Sequence, residues 1–168
     1  MRKNFVIVGA VIVVVVLASA LWVSKTRVAD DARMEIFLTN AALAGEGNEC
    51  EAVYPLHRTV AATNTPEDAL RVAVAALLDG PGDDEIAQGY ATSIPSDARL
   101  RTVQVNEYAG VVTLDFSEEL QAGGSCRVTA IRQQIEATVA AVIADWYPST
   151  FGVVITVNGG SPDEALQP

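Results

Sequence analysis

Two cysteines that lie far apart, Cys50 and Cys126, constrain the fold of this chain more than any other feature. They follow an uncharged N-terminal stretch that indicates export, and two cysteines in an exported domain usually form a disulfide. Two buried free thiols are the alternative. Because the separation is 76 residues, a disulfide would remove roughly 4 kcal/mol of conformational entropy from the unfolded chain. The pair therefore predicts a strand-rich front half that is joined to the start of a helix in the back half.

The N-terminal stretch from Phe5 to Val23 is 19 residues long and carries no charge. That length is enough to cross a bilayer core of roughly 30 Å as a helix. We expect a cytoplasmic segment over 1–4, a transmembrane helix over 5–23, a tether over 24–32 and one domain over 33–168. Cleavage of a signal peptide after Ala20 is the alternative, and it would make the domain secreted. Both interpretations place the domain outside the cytoplasm.

The charge of the chain is strongly unequal between its two ends. Beyond Val28 there are seven arginines and no lysine against all 21 acidic residues, which is a net charge of −14. Such a surface repels phosphate backbones, so we expect no nucleic-acid partner. It is typical of a solvated, soluble surface, with a cationic partner as the alternative.

Hydrophobic periodicity and turn residues predict the element order ββαββαβ. Thr65 and Pro66 mark a helix start and Gly80 its end, while Pro55 favours an edge strand. The economical arrangement is an α+β two-layer sandwich, with a mixed sheet of about four to five strands and two main helices on one face. The predicted strands lie near 34–39, 50–60, 100–106, 111–116 and 153–157, and the main helices over 66–79 and 126–144.

The second main helix has one apolar face, for which Ser125 is the expected N-cap. The last strand is an apolar run of the kind found at the centre of a sheet, and residues 161–168 are expected to form a short tail. Residues predicted on the buried helix face are Val128, Ile131, Ile135, Thr138 and Val142, whereas Arg127, Gln134 and Glu136 are predicted to point elsewhere.

Six segments, in the same order along the chain, resemble the GerMN domain family of sporulation and germination proteins. They include a helix end that reads Ala-Leu-Leu-Asp-Gly-Pro and a strand that reads Val-Thr-Leu-Asp-Phe-Ser, and no one segment is specific by itself. The ordered set identifies the chain as a member of that family from Arg33 to Leu166. The segments are Val53–Val60, Ala76–Pro81, Ser93–Leu100, Val112–Leu120, Ile135–Val139 and Val154–Gly159.

This resemblance implies a small α/β fold with no established catalytic centre and no cofactor. Family members are mostly membrane-anchored or lipidated envelope proteins, and many carry a second GerMN copy or an immunoglobulin-like domain. We expect a single copy here, in a non-enzymatic, membrane-tethered extracytoplasmic protein with a structural or protein-interaction role. The expected partners are the membrane, through the N-terminal helix, and unknown envelope proteins or a second copy of the chain.

A second hypothesis is a glycan-binding or hydrolytic domain that acts on the cell wall. Asp115 with Glu118 or Glu119 would then supply the paired carboxylates that general acid–base catalysis needs. The alternative is that Asp115 ends a strand and caps the turn Ser117–Leu120. His57 is the single histidine of the sequence, and we expect a partly exposed structural role for it.

The remaining polar and aromatic clusters each have a structural alternative that we favour. Asp83-Asp84-Glu85 lacks the alternating oxygen ligands of a calcium loop, so it predicts a helix N-terminus and no metal site. Gly123-Gly124 predicts a flexible turn that lets Cys126 reach its partner. Trp146 and Tyr147 predict a lid over the core at the helix end, with an exposed aromatic contact as the alternative.

Overall fold

The computed structural model of the chain describes residues 31–45, 50, 52–121 and 123–167. Among those residues, none of the helices combines the length and the apolar character needed to span a bilayer. The predicted transmembrane helix over 5–23, the cleavage site after Ala20 and most of the tether lie outside the described residues. They stay predictions.

The first sheet has three antiparallel strands in the order β2-β1-β3, formed by Asp31–Asn40 (β1), Val53–Ala61 (β2) and Tyr90–Ala91 (β3). Strand β1 begins two residues inside the predicted tether. It pairs with β2 along nearly its whole length but with β3 only at its last two residues. Strand β2 lies at the edge of the sheet, which confirms the position that Pro55 indicates.

The second sheet has the order β4-β5-β6, formed by Leu100–Asn106 (β4), Val111–Phe116 (β5) and Gly152–Val157 (β6). The first two strands form the predicted antiparallel hairpin, and β6 lies parallel to β5. Strand β6 is an edge strand, so its predicted central position is wrong. Its apolar run reflects burial of Ile155 and Val157 in the core rather than a second neighbouring strand.

Four helices and one turn of 3-10 helix complete the described part of the domain. The caps of the first main helix are as predicted, because the Thr65 hydroxyl accepts the Asp68 N–H at 3.1 Å and Gly80 ends the helix with φ 73°. The predicted N-cap of the second main helix is wrong, because Ser125 lies inside the helix and Gly124, with φ 93°, holds the cap position. The helices are Ala41–Ala44 (α1), Pro66–Asp79 (α2), Asp83–Ala87 (α3) and Ser125–Ala144 (α4), and the 3-10 turn is Glu118–Leu120.

The α+β class is confirmed, but the predicted single sheet is in fact two three-stranded sheets. Helices α2 and α4 pack against each other and both contact β1, while α2 also contacts β4. On the side of β1 that faces away from β2, the Phe37 N–H donates to the hydroxyl of Thr138 in α4 at 3.0 Å. A helix thus occupies the strand edge that would have joined the two sheets.

The core lies between the two helices and the inner faces of both sheets. The apolar face of α4 is buried as predicted, from Val128 to Val142. Gln134 departs from its prediction and is fully buried, because the Thr92 hydroxyl and the Ala130 carbonyl satisfy its amide at 3.0 and 3.1 Å. The C-terminal segment is more than a tail, since Ala165 and Leu166 are buried in the same core.

Candidate functional site

Cys50 and Cys126 form a disulfide, with their Cα atoms 4.9 Å apart. Cys126 lies in the first turn of α4, and Cys50 precedes β2. The bond therefore joins the segment that leads into the edge strand to the start of the long helix, which is the connection that the spacing of the two cysteines predicts. Neither thiol is free for nucleophilic chemistry or for metal binding.

The carboxylate of Asp115 is 8% exposed and is held by donors from the neighbouring strand. Its Oδ1 accepts the Thr156 hydroxyl at 2.8 Å and the Gly159 N–H at 2.7 Å. Its Oδ2 lies 3.3 Å from Nη1 of Arg101, which also donates to the Asn158 side chain. With both oxygens engaged by the protein, this carboxylate fastens β5 to β6 and to the turn that follows β6.

The predicted carboxylate partners of Asp115 lie in a different environment. Glu118 and Glu119 are exposed in the 3-10 turn, where a hydrogen bond from Ser117 lowers the pKa of Glu119. The predicted cap is wrong as well, because Ser117 holds the cap position of that turn and Asp115 bonds across to β6 instead. This arrangement favours a structural role for Asp115 over paired acid–base catalysis.

His57 lies on the exposed face of β2, with Nδ1 3.6 Å from the Glu35 carboxylate of β1. Its side chain is 48% exposed, which agrees with the structural role expected for it. Within the ranges that the structure describes, no group of three or more histidine, cysteine or acidic side chains is close enough to hold a metal ion.

A bidentate ion pair that sequence reasoning missed locks β2 to the corner after α2. The Arg58 guanidinium donates to both carboxylate oxygens of Glu85 at 2.5 and 2.8 Å and to the Gly80 carbonyl at 3.2 Å. Glu85 also accepts the Gly82 N–H at 2.9 Å, which confirms the predicted helix start. Chiefly because of the Arg58 hydrogen bond, the pKa of Glu85 lies below its usual value.

The outer edge of β2 carries backbone groups that its sheet does not use. Phe37 of β1 lies opposite Pro55 of β2. Because the Phe37 N–H donates to Thr138 and not to β2, Phe37 and Pro55 form a non-hydrogen-bonded pair of the antiparallel ladder. Backbone groups alternate in direction along a strand, so Val53, Pro55, His57, Thr59 and Ala61 direct theirs away from β1. We call this outward side of Val53–Ala61 the open edge, because no described strand pairs with it.

The tip of the β4–β5 hairpin carries the most exposed aromatic ring of the described residues, Tyr108, at 105%. Beside it lies an open groove of about 700 Å³, which we call the hairpin groove. It is lined by Gln104, Val105, Asn106, Glu107, Tyr108, Ala109, Val111 and Thr113.

The segment that follows α4 contacts this hairpin through Tyr147. The Tyr147 hydroxyl donates to the Glu107 carboxylate at 2.6 Å, which raises the pKa of Tyr147 to about 12. The Tyr147 ring also packs at 4.9 Å from that of Phe151 and against the core, so it forms the predicted lid. Trp146 keeps part of its ring exposed.

Two solved structures resemble this fold. The tandem GerMN domains of the sporulation protein GerM from Bacillus subtilis match with a TM-score of 0.55 and 19% identity, over 79% of this chain and 40% of that chain. The first GerMN domain of the same protein matches with a TM-score of 0.48 and 18% identity, over 77% of this chain and 85% of that chain. This chain thus spans 40% of the tandem-domain structure.

The family comparison rests on sequence. No curated protein matches this chain. The model of the Germane family, described as sporulation and spore germination, matches residues 37–163. That range is well over half of the chain and includes every described helix and strand except the first six residues of β1, so the resemblance to GerMN domains is confirmed. The chain belongs to the Germane family of sporulation and spore germination domains.

Proposed function

We propose that this chain is a non-enzymatic, membrane-tethered extracytoplasmic protein that acts by binding envelope proteins or a second copy of itself. The open edge of β2 is the observation that carries the proposal. At nine residues it is the longest of the described edge strands, since β4 has seven residues and β6 has six. An unpaired strand edge offers backbone groups to an added strand, which is a common mode of protein recognition.

The open edge is not uniform along its length. Pro55 has no N–H, and the Arg58 side chain donates to the His57 carbonyl at 3.3 Å. Thr59 and Ala61, farther along, have outward backbone donors and acceptors with no described strand partner. The C-terminal half of β2 is therefore the part that a partner strand can extend. The Arg58–Glu85 ion pair holds this half against the corner after α2.

Self-association fits the comparison with the tandem protein. That structure has two GerMN domains in one chain, whereas this chain matches 40% of it. A second copy of this chain would supply a neighbouring domain that a tandem member has within its own sequence. We therefore choose a second copy as the first partner to test, before unknown envelope proteins.

The N-terminal sequence and the disulfide support the proposed compartment. The 19 uncharged residues from Phe5 to Val23 support an anchor. The Cys50–Cys126 bond supports an oxidising location beyond the membrane, because disulfides are rare in reducing compartments. The non-enzymatic part of the proposal is supported by Asp115, whose oxygens are engaged by Thr156, Gly159 and Arg101.

Site-specific photocrosslinking tests the open edge. The domain has no lysine, so amine-reactive reagents are of little use, and a photoreactive phenylalanine analogue is placed at His57 instead. In intact membranes we expect crosslinked species from position 57, and none from the same analogue at Arg71 on the exposed face of α2.

A pair of substitutions at Thr59 isolates the backbone contribution. Thr59→Pro removes the outward N–H and should abolish the crosslinked species, whereas Thr59→Ala retains the N–H and should preserve them. Thermal melting of both variants shows whether the fold is intact. Monomers alone at position 57, or equal crosslinking by the two Thr59 variants, would overturn the proposal for this edge.

Membrane fractionation tests the tether separately. The full chain should stay in the membrane pellet after an alkaline carbonate wash, and a variant without residues 5–23 should not. Release of the full chain by the wash would contradict a retained anchor. An N-terminal sequence that begins at Leu21 would establish the secreted alternative.

A further inference from the structure

The hairpin groove is lined by polar side chains that the packing of the fold does not require. Gln104 pairs with Thr113, and Asn106 pairs with Val111, across the two strands. Because side chains alternate along a strand, these four lie on the same face of the second sheet. That face is opposite to the one that buries Val103 and Val112 in the core. The groove is thus a surface feature, with its side chains turned toward solvent.

Tyr108 stands at one end of this groove on a rigid turn. The Asn106 side-chain oxygen accepts the Ala109 N–H at 3.0 Å. Gly110 supplies the left-handed conformation that ends the turn, with φ 63°. A tyrosine ring normally contributes a large buried apolar area, yet this ring is fully exposed. The hairpin therefore presents an aromatic ring to solvent beside the groove.

The polar groups of the groove are almost all uncharged. Gln104 offers an amide and Thr113 a hydroxyl, while Asn106, whose side-chain oxygen accepts the Ala109 N–H, offers its NH2 group. The lining can therefore both donate and accept hydrogen bonds. Glu107 is the single charged side chain of the lining, and it accepts the Tyr147 hydroxyl. With no cationic side chain in the lining and a net charge of −14 beyond Val28, an anionic ligand would be repelled.

We propose that the hairpin groove binds an uncharged glycan chain of N-acetylhexosamine units. The Tyr108 ring stacks on the apolar face of one pyranose. Gln104, Asn106 and Thr113 bond to its acetamido and hydroxyl groups, and Val111 contacts the acetyl methyl group. An exposed aromatic ring beside neutral donors and acceptors matches the apolar face and the uncharged polar groups of such a sugar.

This site is distinct from the carboxylate set considered in the sequence. Asp115 lies farther along β5 and is buried under Arg101 and Thr156. The groove also does not include β2, so glycan binding and strand pairing use separate surfaces. A failure of one proposal therefore leaves the other intact.

Calorimetric titration of the purified full chain with N-acetylglucosamine hexamer tests the site. We expect saturable binding that Tyr108→Ala weakens by about tenfold or more. Tyr108→Phe is the matched control, because it retains the ring and should bind like the parent chain. Since Tyr108 is fully exposed, both variants should melt at the same temperature as the parent.

Two further arms define the ligand. Gln104→Ala should also weaken binding, and cellohexaose, which lacks acetamido groups, should bind at least about tenfold less tightly. Equal affinity for cellohexaose would overturn the N-acetylhexosamine assignment. No saturable binding of either oligosaccharide, or unchanged binding by Tyr108→Ala, would overturn the glycan site. Thr59→Pro should bind the hexamer normally, which separates this result from the open edge.

Discussion

The hydroxyl of Thr138, in the middle of α4, accepts the backbone N–H of Phe37 in β1 at 3.0 Å. Thr138 is fully buried. This contact is part of the packing of α4 along β1, on the edge that faces away from β2 and beyond the two residues that pair with β3. At Phe37 a helix side chain therefore takes the place that a further strand would occupy, and the six strands form two small sheets.

We expect Thr138→Val to destabilise the domain by about 1–3 kcal/mol, because it leaves a buried N–H without an acceptor. Thr138→Ser is the matched control, since it retains the hydroxyl and should cost less. Chemical denaturation of the three chains measures the free energy of unfolding. Equal stabilities of the valine and serine variants would contradict the role of this contact.

The disulfide should make a large contribution to stability under oxidising conditions. Cys50 and Cys126 are 76 positions apart in the sequence. Because the disulfide closes so long a loop, we expect the double variant Cys50→Ser, Cys126→Ser to have a free energy of unfolding about 4 kcal/mol lower than the parent. Thermal melting with and without a reducing agent provides the measurement. The parent chain should lose stability on reduction, whereas the double variant should not respond. A parent whose melting temperature ignores the reductant would refute the prediction.

Asp115 should be important for stability and not for any hydrolytic reaction. Asp115→Ala leaves the Thr156 hydroxyl and the Gly159 N–H without their acceptor, so we expect a loss of about 2–3 kcal/mol. Glu118→Ala, in the exposed turn, should change stability by less than about 0.5 kcal/mol. Denaturant unfolding compares the two, and a neutral Asp115→Ala would show that the β5–β6 contact is dispensable.

The Arg58–Glu85 pair should give the domain an acid-sensitive component of stability. Its hydrogen bonds lower the pKa of Glu85 in the folded chain below the ordinary value of 4.5. The folded state therefore holds the ionised carboxylate more strongly than the unfolded chain does. This contribution is fully present above that ordinary value and is lost as the pH falls through the lowered pKa.

Glu85→Gln isolates this component. We expect the variant to be about 1 kcal/mol less stable than the parent at pH 7. The difference should shrink on acidification, because the parent then loses its charge as well. Asp84→Asn, on the same short helix but exposed, controls for a general charge effect and should leave the acid sensitivity in place. Equal differences at pH 7 and pH 3 would rule out Glu85 as its source.

The five long strands and the two main helices were predictable from the sequence, because each has a signal within a few residues, whereas the short elements α1 and β3 were not predicted. Thr65, Pro66 and Gly80 mark the ends of α2, and the β4–β5 hairpin follows from alternation and a glycine-containing turn. The two-sheet arrangement was not predictable in this way. It involves contacts such as that of Thr138 with Phe37, which are 101 residues apart and carry no periodic signal that links them.

The candidate sites also differ in whether the sequence alone could predict them. The disulfide could be inferred from the sequence, because a chain with two cysteines and an export signal has only one pair that can form. The partners of Arg58 and Asp115 could not be inferred, since Glu85 and Thr156 come from other elements and only the tertiary fold brings them close. Gln134 was misplaced for a related reason, because the Thr92 hydroxyl that permits its burial lies 42 residues away.

The contacts of Asp115 have a consequence for the life of the nascent chain. Its two hydrogen-bond donors, Thr156 and Gly159, belong to β6 and the turn after it, and they are synthesised 41 and 44 residues after Asp115. A truncated product that stops before Gly152 would have to bury this carboxylate without either donor, at a cost of several kcal/mol. We expect such a product to remain open to proteases, so β5 is protected only once β6 is in place.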